Sequence, residues 1–369
     1  MLDNWLVPSA HLRERGADTF EVWQLGHAVS AYRDPGDLPD LTSGAVALIG
    51  LAAREADRVR HHLYRMARPG PELDLVDLGN ARRPDGVFNA TVMRELLLAG
   101  VTPLFIGREA DGCLAQYLGY HQAEFLTNLV VVDDRLRFQA RDVATERGYL
   151  DRIFDLTPVR LFHLAAIGYQ THYNDPAALE YLHQHHFEFV RLGACKYDID
   201  ECEPIVRDAD AVCLQLSALK LADAPAQEPP GASGFSSEEA CQLARFTGMA
   251  DKVTSFGVYG YLGERDASGH TAETVAQLAW YFVEGYANRK HDFPVTTDGL
   301  TEYVVQLDGR APQITFWKSE RSGRWWMEMP YELDGGPRHK YIPCTYGDYL
   351  RACERELPDR LVDAYKRFV

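Results

Sequence analysis

Asp198, Asp200, Glu201 and Glu203 crowd into the run Asp-Ile-Asp-Glu-Cys-Glu-Pro that ends at Pro204. Carboxylates at that density are hard oxygen donors and could hold a divalent cation. Their spacing argues for another role. Residues two apart on a helix do not face one another, and Asp198 with Glu201 has the Asp-x-x-Glu spacing of a helix start. Helix capping is therefore the expectation. His183, His185 and His186 precede the apolar run 187–192 in a spacing that fits no standard zinc site. They are expected at the surface or at a helix end. His163 and His172 flank Gly168-Tyr169-Gln170-Thr171 and are candidates to line a cleft, a structural or solvated role being the plainer reading. Cys213 lies in an apolar run, where a small core residue is expected; a nucleophile would need a lowered pKa and a nearby base. Gly257, Gly260 and Gly263 lack the spacing of a phosphate-binding loop.

These side chains sit in a chain of 369 residues, 46% hydrophobic, with a net charge of −16. That length suffices for one large α/β domain or two smaller ones. The negative balance disfavours nucleic acid and an anionic membrane as partners. The amino terminus has no basic stretch followed by an apolar core, and the longest apolar run, 45–53, is too short to cross a bilayer. Seven scattered cysteines form no Cys-x-x-Cys pair, so a reducing, cytoplasmic setting is expected.

The elements that would position a site alternate. Residues 1–40 are polar and carry Pro8, Pro35, Gly36 and Pro39, which predicts an irregular lead-in. Strands are predicted over 45–51, 73–78, 102–107, 128–133, 159–167, 187–192, 212–216 and 253–259. Helices are predicted over 54–66, 88–98, 114–122, 176–183, 198–207, 236–248 and 271–287. Short apolar strands separated by helices imply a parallel sheet covered on both faces, in an open sheet or a barrel. Beyond residue 300 the pattern changes, with strands predicted over 302–307, 313–318 and 324–329 and helices over 346–356 and 359–368. Trp317, Trp325, Trp326, Tyr341 and Tyr346 lie in this region. Packing or a subunit contact is the reading for these aromatics, since the net charge disfavours a stacking platform for nucleic acid.

The stretch Ala211-Val212-Cys213-Leu214-Gln215-Leu216-Ser217, followed by Ala218 to Pro225 and by Gly234-Phe235-Ser236-Ser237-Glu238-Glu239, is organised as a buried strand delivering a long loop into a helix. In this order it resembles the ureohydrolase family of arginases, agmatinases and formimidoylglutamases. Further segments resemble a bacterial branch labelled formimidoylglutamase-like, among them Arg191-Leu192-Gly193, Ser255-Phe256-Gly257 and Arg324-Trp325-Trp326-Met327-Glu328. The resemblance covers about residues 45–290. It implies a three-layer α/β/α arginase-like fold with a mainly parallel eight-stranded sheet. The expected organisation is a lead-in over 1–40, the α/β/α domain over 41–295 and a C-terminal appendage over 296–369.

The resemblance also implies a pair of manganese ions at the sheet's carboxyl edge, and here the chain departs from its pattern. The two metal-binding aspartates of the strand fall on Gln215 and Ser217, and the Asp-Pro that follows falls on Lys220-Leu221. The histidine of Gly-Gly-Asp-His-Ser falls on Glu109 in Ile106-Gly107-Arg108-Glu109-Ala110. The motif Asp-Ala-His-x-Asp falls on Asp133-Asp134-Arg135-Leu136-Arg137, which keeps Asp133 but puts Arg135 and Arg137 at ligand positions. A substrate-binding glutamate falls on Gly260. Guanidinium has no lone pair to give and repels cations. The expectation is a chain without a catalytic manganese pair or other cofactor, acting as a binding or regulatory pseudoenzyme. Arg135 and Arg137 would pair with Asp133 and leave a cationic pocket for a small carboxylate or amino-acid-like ligand; homo-oligomers are implied by the family. The alternative is a working hydrolase of linear amidines such as N-formimidoylglutamate, with an unorthodox single metal, manganese in this family, on Glu109, Asp111, Asp133 or Asp134. Metal-free chemistry in the same cleft is a third reading.

Overall fold

Val130 and Val132 face one helical layer, while Leu129 and Val131 of the same strand face the other. Phe256 and Val258 pack with the first layer, as do Val212 and Leu214, whereas Ala211 and Cys213 turn to the second. Strands apolar on both faces must be covered twice, and helices on both sides do so. The computed structural model describes residues 2–13, 16–70, 73–83, 85–139, 148–307, 313–333 and 336–368.

The chain opens with β1 (Leu6–Val7), α1 (Ala10–Arg13), α2 (Leu25–Ala28) and β2 (Ser30–Ala31). The alternating part follows as β3 (Val46–Gly50), α3 (Ala53–Leu63), β4 (Leu75–Ala81), α4 (Gly86–Leu98), β5 (Thr102–Ile106), α5 (Gly112–Gln122), β6 (Thr127–Val132), α6 (Tyr149–Phe154) and β7 (Leu161–Tyr169). It continues with α7 (Pro176–Gln184), β8 (Glu188–Arg191), α8 (Leu192–Tyr197), α9 (Glu203–Arg207), β9 (Ala211–Gln215), α10 (Ser237–Met249), β10 (Ser255–Tyr259) and α11 (His270–Ala287). The C-terminal part holds β11 (Leu300–Val305), β12 (Ile314–Ser319), β13 (Trp325–Leu333), β14 (Gly336–Cys344), α12 (Tyr346–Cys353) and α13 (Asp359–Phe368).

The main sheet runs β1-β4-β3-β5-β10-β9-β6-β7-β8, with β2 also on β4. Strands β3 to β10 are the eight parallel strands that the alternation predicts. The lead-in is less irregular than expected. Its β1 pairs antiparallel and its β2 parallel with β4, because an edge strand offers free backbone groups to any extended segment beside it. From β3 the chain steps one way to β4 and then back across β3 to β5, so α3 and α4 lie on opposite faces. Residues of α3, α10 and α11 share one core, and those of α4, α5 and α6 share the other. The crevice between the ends of β3 and β5 is thus a topological switch point, where ligands commonly bind in such sheets.

The predicted helix over 198–207 is a 3-10 turn, Ile199–Cys202, leading into α9; Asp198 caps it by accepting from the backbone N of Asp200 at 3.1 Å. The helices α6 and α8 and the strand β14 were not among the predicted elements. The C-terminal part is a four-stranded antiparallel sheet, β11-β12-β13-β14, with its own core of Phe316, Trp325, Met327, Ile342 and Leu361. Buried Arg207 of α9 joins it to the main sheet's helices, donating to the carbonyls of Trp325 and Cys344 at 3.1 Å each and lying 4.5 Å from the Trp326 ring. The aromatics pack as expected: Trp325 stacks on Tyr349 at 5.0 Å, and Trp317 donates its indole N–H to Glu328 at 2.9 Å.

Candidate functional site

Parallel strands deliver their following residues to one edge, and Asp133 is the first residue past β6. Ser217 sits in the 3-10 turn Leu216–Ala218 just past the neighbouring β9, and Ser217 Oγ donates to Asp133 Oδ1 at 2.8 Å. Four positions further on, Arg137 turns back: its Nε donates to Asp133 Oδ2 at 3.1 Å and its Nη2 to Ser217 Oγ at 3.2 Å. Tyr149, on α6, adds its hydroxyl to Asp133 Oδ2 at 3.3 Å, and the Arg135 backbone N–H reaches Asp133 Oδ1 at the same distance. Both oxygens of a carboxylate that is 1% exposed are therefore engaged by side chains of this protein.

The backbone is shaped for this closure. Arg137 has φ of +45°, a left-handed conformation that costs a non-glycine residue and persists where its surroundings hold it. A Cβ on Gly148 would lie 1.8 Å from the Arg137 carbonyl oxygen, so only glycine admits that approach. Asp151 accepts from the backbone N–H of Gln139 at 3.0 Å and of Gly148 at 2.8 Å, tying both to the start of α6. On the other side, Asn174 Oδ1 accepts from the backbone N of Leu136 at 2.7 Å.

Charge in this volume is balanced by arginine. The Asp133 carboxylate raises the pKa of the Arg137 guanidinium, and burial together with the same charge raises that of Tyr149. Asp134, fully buried, takes the Arg135 Nε at 3.3 Å on Oδ2, while its Oδ1 has no geometric hydrogen-bond partner among the described residues. Burial, then the adjoining Asp133 charge, pushes Asp134 up to about 7. Arg135, about a third exposed, lies over the Tyr173 ring at 4.4 Å.

The other positions singled out by sequence are distributed unevenly. Gln215 is buried at the end of β9 and donates to the Ala110 carbonyl at 3.1 Å. Gly260, with φ of +87°, is its neighbour, since a Cβ there would lie 3.9 Å from Gln215 Oε1. Glu109 is not drawn to Asp133. Its side chain is 74% exposed and meets Arg108 at 3.2 Å. Asp111 likewise turns to Arg152, at 2.6 Å. His163 does not line this edge: it lies near the start of β7, buried, 3.7 Å from Glu188 at the sheet's opposite end, where burial depresses its pKa. His172 and the trio His183, His185 and His186 are exposed. Cys213 is buried and its thiol faces Gln116 Oε1 at 3.2 Å.

Sequence reasoning did not find Tyr149, Tyr173 or Asn174. The run Tyr149-Leu150-Asp151-Arg152-Ile153-Phe154, with Leu150 and Ile153 in the core, carried a helical signal that would have brought Tyr149 into view. Nor did it find the cleft beside this network. That cleft, of 560 Å3, lies at the switch point between the ends of β3 and β5, lined by Leu51, Asn89, Leu114 and Ala115 and rimmed by Arg108, Glu109, Asp111 and Arg152. Among the described residues, no group of three or more His, Cys, Asp and Glu side chains is placed to hold a metal ion. No described helix is long and apolar enough to cross a membrane.

No protein-family model matches the chain, and no curated protein sequence matches it. Solved structures do. A formiminoglutamase from Trypanosoma cruzi with Mn2+ aligns with a TM-score of 0.61 at 15% identity, over 68% of this chain and 96% of that one. Formimidoylglutamase from Bacillus subtilis gives 0.61 at 16% identity, over 71% and 91%. Arginase from Bacillus subtilis gives 0.54 at 15% identity, over 65% and 98%. The expected α/β/α architecture is therefore the fold of these ureohydrolases, with the C-terminal antiparallel sheet as an addition.

Proposed function

We propose that this protein is a non-hydrolytic binding or regulatory protein on a ureohydrolase scaffold, in which Arg137 holds the volume that a manganese pair would occupy. One observation carries the reading: the Asp133 carboxylate already accepts from Arg137, Ser217 and Tyr149. The donor set does not fit two dications. Bridging them and acidifying a bound water needs several anionic or imidazole ligands together. Asp133 is here answered by a fixed cation, and Gln215 and Ser217 offer only neutral oxygens. A small carboxylate or amino-acid-like molecule is the proposed ligand.

The test is metal analysis of the purified protein after exchange into excess manganese and removal of free ion. Binding well below one ion per chain is expected, and two ions per chain overturn the reading.

A second reading, hydrolysis of a linear amidine on a single metal, draws on the buried, unpartnered Oδ1 of Asp134 beside Asp133. Its other candidate ligands, Glu109 and Asp111, pair instead with Arg108 and Arg152. Release of formamide or urea from a panel of amidines, abolished by Asp133→Ala, would establish it; no product from any of them would remove it.

A further inference from the structure

We propose that the cleft at the ends of β3 and β5 binds an apolar α-amino acid in its zwitterionic form. The inference deepens the binding reading above and rests on it for its meaning, but it concerns a different volume from the Asp133 network.

The cleft's size, 560 Å3, is within the range of about 300–1,000 Å3 usual for small-molecule sites. Its position is the switch point of the sheet, where the helices that follow neighbouring strands leave on opposite faces. The inner wall is apolar, with Leu51, Ala52, Leu114 and Ala115. Gly107 and Gly112 also line it, and the side on which a Cβ would stand is taken by the buried Tyr259 ring, 2.7 and 2.3 Å away, so both positions require glycine. A ligand entering this space is expected to bring an apolar body.

The rim carries both signs of charge. Arg108 is committed, since Glu264, Glu55 and Glu109 all accept from it. Arg152 donates Nη1 to Asp111 at 2.6 Å and is 48% exposed, which leaves further N–H groups of its fork for a carboxylate. Glu109, 74% exposed, meets Arg108 Nε at 3.2 Å through Oε1, and its second oxygen is the acceptor for an ammonium. A bare anion would meet Glu109 and Asp111, and a bare cation would meet Arg108 and Arg152. A molecule carrying both charges satisfies both sides of the rim.

A further observation points into the same space. Asn89 of α4 lines the cleft, is 5% exposed, and its Oδ1 has no hydrogen-bond partner among the described residues. Buried polar groups are nearly always satisfied, and an exception needs an explanation. Rotation of the Asn89 amide toward the cleft would pair it with the ligand's ammonium.

The experiment is calorimetric titration of the full chain with L-leucine and L-phenylalanine, each beside its amine and its acid lacking the second charge: 3-methylbutylamine and 4-methylpentanoate, phenethylamine and 3-phenylpropanoate. Saturable binding of at least one amino acid is expected, weaker by about tenfold or more for the single-charge analogues, as loss of a charge-assisted contact implies. Arg152→Ala and Glu109→Gln, both at exposed positions, should each weaken it by a similar factor while leaving the melting temperature in place. No heat with either amino acid at millimolar concentration, equal affinity for the analogues, or indifference to both substitutions overturns the proposal. Manganese content is read separately. Two ions per chain with amino-acid binding intact would sink only the non-hydrolytic reading, and a metal-poor chain without amino-acid binding would sink only this one.

Discussion

The Asp133 network and the Arg108 cleft lie at the same edge of the same sheet, linked by the bond from Gln215 to the Ala110 carbonyl, yet they resolve their charges in opposite ways. Around Asp133 the protein supplies every partner from its own chain, and the carboxylate is sealed from solvent. Around the cleft, acids and bases remain at the rim of an open apolar volume. The first arrangement stabilises a loop; the second leaves room for a ligand. Ends of neighbouring strands can thus carry one sealed cluster and one open cleft, according to whether a long side chain reaches back across the edge.

Removing one partner of the sealed pair should break this comparison most visibly. Arg137→Ala leaves Asp133 buried without its cation, and a loss of about 3–5 kcal/mol in denaturant unfolding is expected. A loss below about 1 kcal/mol would place the pair with ordinary surface ion pairs and undo the contrast. Next in size is a difference of sign in acid titration. Asp134 is raised from 3.8 to about 7 by burial and by Asp133, whereas Glu264 is lowered from 4.5 to about 2 by its hydrogen bond with Arg108 at the cleft. For Asp134 the folded state holds a proton that the unfolded chain has released, so its contribution is complete below the ordinary carboxylate range and is lost as pH rises through about 7. For Glu264 the contribution is present above its ordinary value and is lost as pH falls through about 2. Carboxyl carbon-13 titration should show the two midpoints displaced in opposite directions from the ordinary carboxylate range, and Asp134→Asn should flatten the fall of stability between acid and neutral pH. Two ordinary carboxylate curves would remove the distinction. Smallest of all, Glu109→Gln should change unfolding free energy by less than about 0.5 kcal/mol, since its side chain is 74% exposed and its contact with Arg108 is a surface ion pair. A larger loss would make the rim part of the fold rather than of a binding surface.

Much of the architecture was legible in the order of residues because two-sided apolar runs such as 128–133 and 212–216 have few ways to be buried. The cap at Asp198 was legible from local spacing for the same kind of reason: it involves only near neighbours in the chain. The strand β14 and the short strands β1 and β2 escaped notice because edge pairing depends on which backbone lies alongside, and their own patterns are brief or polar. Of the two readings of His163, the structural one holds and the cleft-lining one does not, since it is buried beside Glu188. It lies at the third position of a nine-residue strand, and a position in sequence does not say where along a strand its neighbours' edges fall.

The sequence by itself determined that two arginines follow Asp133 at the second and fourth positions, because side-chain type is a property of position alone, and guanidinium has no lone pair for a cation. It also determined the parallel sheet, through the periodicity of what must be buried. Only the tertiary structure decided that Arg137 folds back onto Asp133 while Glu109 turns outward, that Tyr149 completes the ring, and that the segments past β3 and β5 border an open cleft. Those outcomes depend on distances between residues remote in the chain and on one left-handed turn, and neither is written in the local pattern.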